Sequence, residues 1–328
     1  MNFSIVGTNF ISDNFIDALA SVPECRAVAV YSRTDERGRY FANKHGIAKV
    51  YTSYADMLAD SEIDAVYIAS PIYAHAEQAI AAMEHGKHVL CEKMIAHSHE
   101  AFLEMRNTAK HCGVTLLEAM RQDFDPALEL IRASLSRLGK IRRASLEFCQ
   151  YSRRYDSFLS GTVLNAFNPE LKNSAISDIG IYPLHTAVIL FGEPKRAHGS
   201  SVYLHNGFEG AGSVILEYED MIATVSYSKI GQSVTPSVIE GELGSLTIDK
   251  ISSPSEIVLR LRGEEPMTIP YSAVENNMIY EIAAFADMCS RKRSAEEYLD
   301  ASGISVAIAD CVLGKRDYTA SCNKNECR

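Results

Sequence analysis

No apolar run in the sequence approaches the length of a membrane span. The first residues also lack the basic region followed by a hydrophobic stretch that marks a secretory leader. The expectation is a cytoplasmic protein with no membrane partner. Positive charge is short too: 32 Lys and Arg stand against 42 Asp and Glu, a formal net charge of −10 spread along the chain in mixed signs. That balance excludes the basic footprint of a nucleic-acid partner and implies an acidic, soluble surface. A disulfide framework is missing as well. The eight cysteines are scattered, and Cys25, Cys91, Cys112, Cys149, Cys289 and Cys311 fall in segments that read as strand or helix, where buried free thiols are expected. Only Cys322 and Cys327, in "CNKNEC", look paired. Without further Cys or His at ligand spacing they read as a frayed tail in preference to a zinc site, so no metal is expected. There is no internal repeat and no low-complexity linker.

What is present is the composition of a globular protein, 47% apolar and 23% charged, and at 328 residues the length of two domains. The first part alternates regularly. "FSIVG" reads as a buried strand, "SDNFIDALASV" as an amphipathic helix capped by Ser12 or Asp13, "RAVAVYS" as a second strand, and "DERGRYFANKHG" as a helix closed by Gly46. "KVYT", "SYADMLAD", "AVYIAS", "HAEQAIAAMEHG", "HVLCEK", "HEAFLEMRNTAKHCG" and "TLLEAM" continue the alternation. Nearly continuous apolar strands between helices mean a parallel, doubly wound sheet, with its ligand crevice at the carboxyl ends of the strands. Residues 1–121 are therefore expected to form a dinucleotide-binding domain.

After residue 121 the rhythm changes. The helix "FDPALELIRASLSRLG" is followed by alternating segments: "RRASLEFCQYS", "AHGSSVYLH", "GSVILEYED", "MIATVSYSKIG", "SVIEGELGSLTIDKI" and "EIVLRLRG". "VILEYED-MIATVSYS" reads as a hairpin. One helical insertion, "SDIGIYPLHTAVILFG", and two closing helices complete an α+β domain over 122–328, built on a large, mostly antiparallel open sheet.

The opening turn has one glycine of the three that a dinucleotide fingerprint uses. Gly7, Asn9 and Ser12 stand at the three positions. Asn enters left-handed backbone more readily than other non-glycine residues, Ser12 is small enough for helix packing, and the donors at the helix N-terminus would survive both changes. Gly7, Thr8, Asn9, Phe10 and Ile11 are the expected cofactor contacts of this turn. By itself the turn fits a bare strand-to-helix connection equally well. The second strand ends in Ser32 and Arg33, with Arg37 one helical turn on, where an NAD site would carry an acid. A hydroxyl and two guanidinium groups suit a 2′-phosphate, with Asp35 close by as a complication. NADP(H) is thus the preferred cofactor, and NAD(H) the alternative. Three further strand ends meet at the crevice: Ser70, Pro71 and His75 after "YIAS" and Glu92 and Lys93 after "HVLC" are expected as cofactor contacts, with Glu118 in "LLEAM" beside them.

Those residues carry a resemblance. The chain is similar, over almost its whole length, to the glucose-fructose oxidoreductase, inositol dehydrogenase and rhizopine catabolism (Gfo/Idh/MocA) family of NAD(P)-dependent oxidoreductases, and looks nearest the branch of the dimeric dihydrodiol dehydrogenases. The similarity rests on "IVGTNFIS", "VYSRTDERGRYFANKHGI", "YTSYADMLADSEIDAVYIASPIYAHAEQAIAAMEHGKHVLCEK" and "NPELKNSAISDIGIYPLHTAVILFGEP". It implies a catalytic role for Lys93 and places the family's Asp-x-Gly-x-Tyr element at Asp178, Gly180 and Tyr182. Asp178 and Tyr182 are four apart and would share a helix face. Pro183 would either kink that helix or open its next segment. A phenol with an ordinary pKa of about 10 needs a nearby ammonium to act as a base at neutral pH. Tyr182 is therefore expected to accept the hydroxyl proton during oxidation, with Lys93 tuning it, and Asp178 orients the pair or binds substrate. His185 is a further substrate-side candidate.

The implied activity is hydride transfer between the nicotinamide and a carbinol or carbonyl carbon of a sugar, polyol or cyclic diol. The implied assembly is a homodimer paired through the open face of the second sheet. Three departures touch this pattern. Met94 replaces the Pro after the catalytic Lys, Ile72 stands where the family has Asn, and "KNSAIS" replaces a glycine-rich stretch before Asp178. They leave open a second class, a dinucleotide-binding regulator of the same fold with impaired catalysis.

Overall fold

The computed structural model describes residues 1–318, so the Cys322 and Cys327 pair lies outside the described residues. The chain divides into two compact units: Met1–Phe124 with Val274–Asp300, and Asp125–Ala273 with the residues from Ala301 onward.

In the first unit β1 (Asn2–Val6), α1 (Phe10–Leu19), β2 (Arg26–Tyr31), α2 (Asp35–His45), β3 (Lys49–Tyr51), α3 (Tyr54–Leu58), β4 (Ala65–Ile68), α4 (His75–Glu84), β5 (His88–Glu92), α5 (His99–Cys112) and β6 (Leu116–Ala119) alternate. The strands pair in parallel in the order β3-β2-β1-β4-β5-β6. Their apolar side chains are covered on both faces, and β4 has every residue buried. The order reverses between β1 and β4, which places the topological switch point where β1 enters the opening turn. Gly46 closes α2 in the left-handed region as expected. The cap of α1 differs from expectation: it is Asn9, whose side-chain oxygen accepts from the Ile11 and Ser12 amides, so the helix starts earlier than Ser12 or Asp13.

The second unit carries α6 (Pro126–Leu135), β7 (Ile141–Cys149), α7 (Arg154–Leu159), α8 (Ile181–Phe191), β8 (Arg196–Tyr203), β9 (Glu209–Glu217), β10 (Ile222–Ser228), β11 (Ser237–Gly241), β12 (Gly244–Ile248), β13 (Ile257–Leu261) and β14 (Met267–Thr268). Among the described residues these strands form one eight-stranded sheet, β14-β13-β12-β11-β7-β10-β9-β8. Only β7 and β10 run parallel. The β9–β10 hairpin pairs Glu217 with Ile222. "SVIEGELGSLTIDKI", read as one segment, is two strands, because the apolar alternation continues through the tight turn between Gly241 and Gly244. Ala144, Leu146, Val214, Leu216, Ala223, Val225, Ile239 and Leu246 bury one face of the sheet.

The reading of both closing helices into the 122–328 domain needs correction. α9 (Met278–Arg291) belongs to the first unit, where Ile282, Phe285 and Ala286 join its core and the Phe285 ring lies 5.9 Å from that of Phe3. α10 (Glu296–Val312) begins in that unit and ends in the other. An amphipathic helix demands an apolar partner without naming it, and here the partner is the N-terminal part of the chain. No helix among the described residues is long and apolar enough to cross a membrane.

Glu281 breaks the apolar face of α9. It has no exposed surface, and neither carboxylate oxygen has a hydrogen-bond partner among the described residues. Burial pushes its carboxyl well above the ordinary value of 4.5, with Glu92 and Asp123 adding to the effect and Arg121 opposing it. The folded state therefore holds the proton that the unfolded chain releases, and stability falls as pH rises from about 4.5 toward the raised value. Glu281→Leu is expected to raise the melting temperature, with a gap over wild type that widens from pH 5 to pH 8 by up to about 1 kcal/mol per pH unit. A gap that stays level or narrows over that range overturns the assignment.

Candidate functional site

In the first unit the expected residues lie at the carboxyl ends of β1, β2, β4 and β5. Gly7 has φ of +105°, and a β-carbon there would stand 2.8 Å from Ala69 O, so the opening turn passes the end of β4 too closely for any side chain. Asn9 is extended, with φ of −110°, and not left-handed. It is accommodated for another reason: its Oδ1 caps α1, while its Nδ2 donates to Ala69 O at 2.7 Å. The expectation that the helix-start donors survive both changes is thereby narrowed, because the amides of Ile11 and Ser12 donate to Asn9 at 3.0 and 3.3 Å. Thr8 is half-buried, the Phe10 ring is 62% exposed, and Ile11 packs against the core. Ser12 is fully buried.

At the end of β2, Ser32 is buried and its amide donates to Tyr51 O at 3.0 Å. Arg33 and Arg37 are exposed, and among the described residues neither guanidinium has a side-chain partner. Asp35, the acid that complicated the sequence reading, is engaged by Arg39 at 2.6 Å. The arrangement leaves two free cations and an occupied carboxylate at the position where a dinucleotide fold meets the adenosine ribose.

The ends of β4, β5 and β6 converge on the loop that bears Lys93. The Ser70 hydroxyl donates to Gln78 Oε1 at 2.6 Å, and Pro71 opens the short turn Ile72–Ala74. His75, expected as a cofactor contact, is buried, with Nε2 2.8 Å from Ser70 O and Nδ1 3.1 Å from Met94 O. Burial pushes its imidazole down, so the neutral ring donates to one carbonyl, and it ties the end of β4 to the residue after Lys93. Glu118 accepts from the Ile95 amide at 2.8 Å. Glu92 is also turned inward, accepting from the Tyr67 hydroxyl at 2.6 Å and from the Lys93 amide at 3.3 Å. Burial pushes the Glu92 carboxyl up, and Lys93 and Tyr67 pull it back. His75 and Glu92 thus hold the loop in place of facing a ligand, and Lys93 itself is left half-buried. Ile72 and Met94, two departures from the family pattern, are both buried side chains.

In the second unit Ile176–Gly180 form a π-helical turn that runs into α8. Pro183 is the third residue of α8, directly downstream of the π-helical turn. Ser174 and Ser177, in the stretch that replaces the family's glycines, bond each other's amide and hydroxyl groups. Glu209 accepts from the Ile176 amide at 2.9 Å. Gly180 lies under the Tyr227 ring, which a β-carbon would approach to 2.6 Å. Tyr182 is 7% exposed and packs on Phe148, with ring centroids 5.7 Å apart. The Asp178 side chain is 44% exposed and pairs with Lys229 at 2.8 Å. His185 has no exposed surface; its Nδ1 lies 3.3 Å from the Ser305 hydroxyl, which places the ring in the interior of the unit and not at a substrate surface.

The sequence reading misses Lys229 and Glu209. A signal for the first exists: residue 229 continues the inward phase of Val225 and Tyr227, where a lysine is out of place. Glu209 is hidden by the irregular pairing between Val202 and Tyr203, which breaks the alternation at the start of β9.

Residues 1–120 match the oxidoreductase family with an NAD-binding Rossmann fold (GFO_IDH_MocA), and residues 129–247 match the GFO/IDH/MocA C-terminal domain. The chain is 41% identical over 297 residues to the scyllo-inositol 2-dehydrogenase (NADP(+)) IolU of Bacillus subtilis, with 90% of each chain covered. It is 29% identical over 283 residues to the trans-1,2-dihydrobenzene-1,2-diol dehydrogenase of Xenopus tropicalis, covering 84% of this chain and 83% of that one. In fold it is similar to KijD10, a 3-ketoreductase from Actinomadura kijaniata solved with NADP and TDP-benzene, at a TM-score of 0.85 and 20% identity over 96% and 97% of the two chains.

Replacing Arg33 and Arg37 together by Ala is expected to raise the dissociation constant of NADPH about 10- to 100-fold and to change that of NADH by less than about 2-fold. Calorimetric titration of both cofactors checks this, and equal weakening of the two would remove the guanidinium pair as the selective element.

Proposed function

The chain belongs to the Gfo/Idh/MocA family of oxidoreductases, and from that premise we propose that it oxidises a ring hydroxyl of a cyclic polyol of the inositol class with NADP⁺, and reduces the corresponding ketone with NADPH. It is a nicotinamide-dependent enzyme acting on CH–OH groups. The observation that carries the cofactor half of this reading is the free Arg33 and Arg37 pair beside an occupied Asp35. The relative that is a scyllo-inositol dehydrogenase supports the substrate half. The residues present fit a dinucleotide: Gly7 leaves the close approach open, and the two guanidiniums offer a planar donor fork to a 2′-phosphate.

When bound, the nicotinamide supplies the acceptor or donor of hydride at the carbinol carbon. The chain's own part is the proton. Tyr182 is the group we assign to take it from the hydroxyl during oxidation and to return it during reduction, and Lys93 is assigned as a cation for the substrate oxygen. Asp178 accepts a hydrogen bond from a further substrate hydroxyl. The test is a panel of scyllo-inositol, myo-inositol, aldoses and cyclic dihydrodiols with NADP⁺ and NAD⁺, run beside Lys93→Ala and Tyr182→Phe. Turnover of an inositol with NADP⁺, reduced about 100-fold or more in each variant with NADPH affinity kept, is the expected result. No turnover by wild type with NADPH still bound would point to a regulator, and retained activity in Tyr182→Phe would move the proton to another group.

The assembly we propose is a homodimer paired through the open face of the eight-stranded sheet. On that face Ser213, Ile215, Thr224 and Ser226 sit in register on β9 and β10, and Ile215 is 46% exposed. Sedimentation of wild type as a dimer and of Ser226→Arg as a monomer is expected, and a dimeric variant would rule this face out.

A further inference from the structure

We propose that Lys229 is a positioning residue for the reaction: it anchors Asp178 from the interior of the second unit, so that the carboxylate is presented, ionised and aimed, as a hydrogen-bond acceptor for a substrate hydroxyl. The proposal rests on the reading of Asp178 as a substrate contact and adds the group that makes that contact work.

The pair is asymmetric. The Lys229 side chain is 5% exposed and that of Asp178 44%, with Nζ and Oδ2 2.8 Å apart. A buried ammonium has to replace its lost hydration, and this one does so on every side. Nζ donates to Ala166 O at 2.9 Å as well as to Asp178, and it lies 5.0 Å from the ring centroid of Phe167 and 5.3 Å from that of Phe208. The lysine's backbone is held in turn, because its amide donates to Gly210 O at 2.9 Å in the neighbouring strand. Phe158, Phe167 and Phe208 form a small core of their own, with Tyr155 packed against it. Phe167, between α7 and the π-turn, and Phe208, just before β9, therefore form an apolar wall around this cation.

An ammonium at hydrogen-bond distance favours the charged form of Asp178, so the residue accepts hydrogen bonds and does not carry protons. Proton exchange is thereby left to Tyr182. Two further ionisable groups that the second unit packs around this turn are Glu209 on β9 and Tyr227 on β10. Glu209 is turned to the Ile176 amide, and Tyr227 lies over Gly180. Neither replaces Lys229 as a cation.

The test uses the full-length protein and four variants: Lys229→Met, Lys229→Arg, Asp178→Asn and Lys229→Met/Asp178→Asn. Three quantities are read: kcat and KM for scyllo-inositol with NADP⁺, the dissociation constant of NADPH, and the titration midpoint of the Asp178 carboxyl. The midpoint is followed by ¹³C NMR with aspartate-selective labelling, which leaves Glu209 silent, and the signal is assigned by its loss in Asp178→Asn. Lys229→Met is expected to lower kcat/KM about 10- to 100-fold, to leave NADPH affinity unchanged and to raise the Asp178 midpoint by at least about one pH unit. Lys229→Arg should recover part of the loss, and Lys229→Met should cost little more once Asp178 is already Asn. An unmoved Asp178 midpoint, or losses that multiply in the double variant, would show that Lys229 serves the fold alone. If Lys229→Met does not fold, Lys229→Gln takes its place in each comparison. Should wild type turn over no inositol, the substrate reading fails while the NMR midpoints still decide the pair.

Discussion

A side chain at residue 7 has nowhere to go, because Ala69 O lies where its β-carbon would come within 2.8 Å. The same oxygen accepts from Asn9 Nδ2, so the end of β1, the start of α1 and the end of β4 meet at one carbonyl. β1 and β4 are neighbours across the reversal of strand order, and their approach sets the mouth of the crevice in the first unit. The placement of the neighbouring strand ends follows from that approach. Ser70 begins one residue beyond Ala69, His75 reaches from Ser70 to Met94, and the loop of Lys93 is fixed between His75 and Glu118.

Both units solve the same problem with buried polar side chains. A functional loop cannot be held by regular backbone pairing alone, and its amides and carbonyls need partners. In the first unit His75, Glu92 and Glu118 supply them around Lys93; in the second Glu209, Ser174 and Ser177 supply them around the π-turn of Asp178. Each of these groups is buried and bonded, which keeps its desolvation from becoming a net loss. Glu281 is the exception, buried with no bond to either oxygen among the described residues, and burial holds its carboxyl well above the ordinary value.

Much of the fold was legible because it is written in short-range pattern. Continuous apolar strands between amphipathic helices specify a covered parallel sheet, and period-two alternation specifies the second sheet down to the β9–β10 hairpin. Arg33 and Arg37 were legible as a pair for the same reason, since a strand end followed by a helix start fixes where both lie. The roles of Asn9, His75 and Glu92 were not. Asn9 looked like a left-handed substitute for glycine and is an extended cap, because a second partner, Ala69 O, lies sixty residues away in the chain. His75 and Glu92 looked like ligand contacts since polar residues at a crevice edge usually face outward. The carbonyls and hydroxyl that turn them inward come from other strand ends.

The sequence by itself determined the two architectures, the position of the crevice and the glycine turn. These depend on periodicity, on backbone freedom and on motif spacing, all of which are local along the chain. Only the tertiary structure decided that α9 returns to the first unit, that Asp35 is occupied by Arg39 while Arg33 and Arg37 remain free, that His185 lies in the interior, and that Lys229 backs Asp178. Each of those outcomes turns on which distant group fills a buried partner's remaining bond or apolar face. Many partners satisfy that demand in sequence, and close packing admits one.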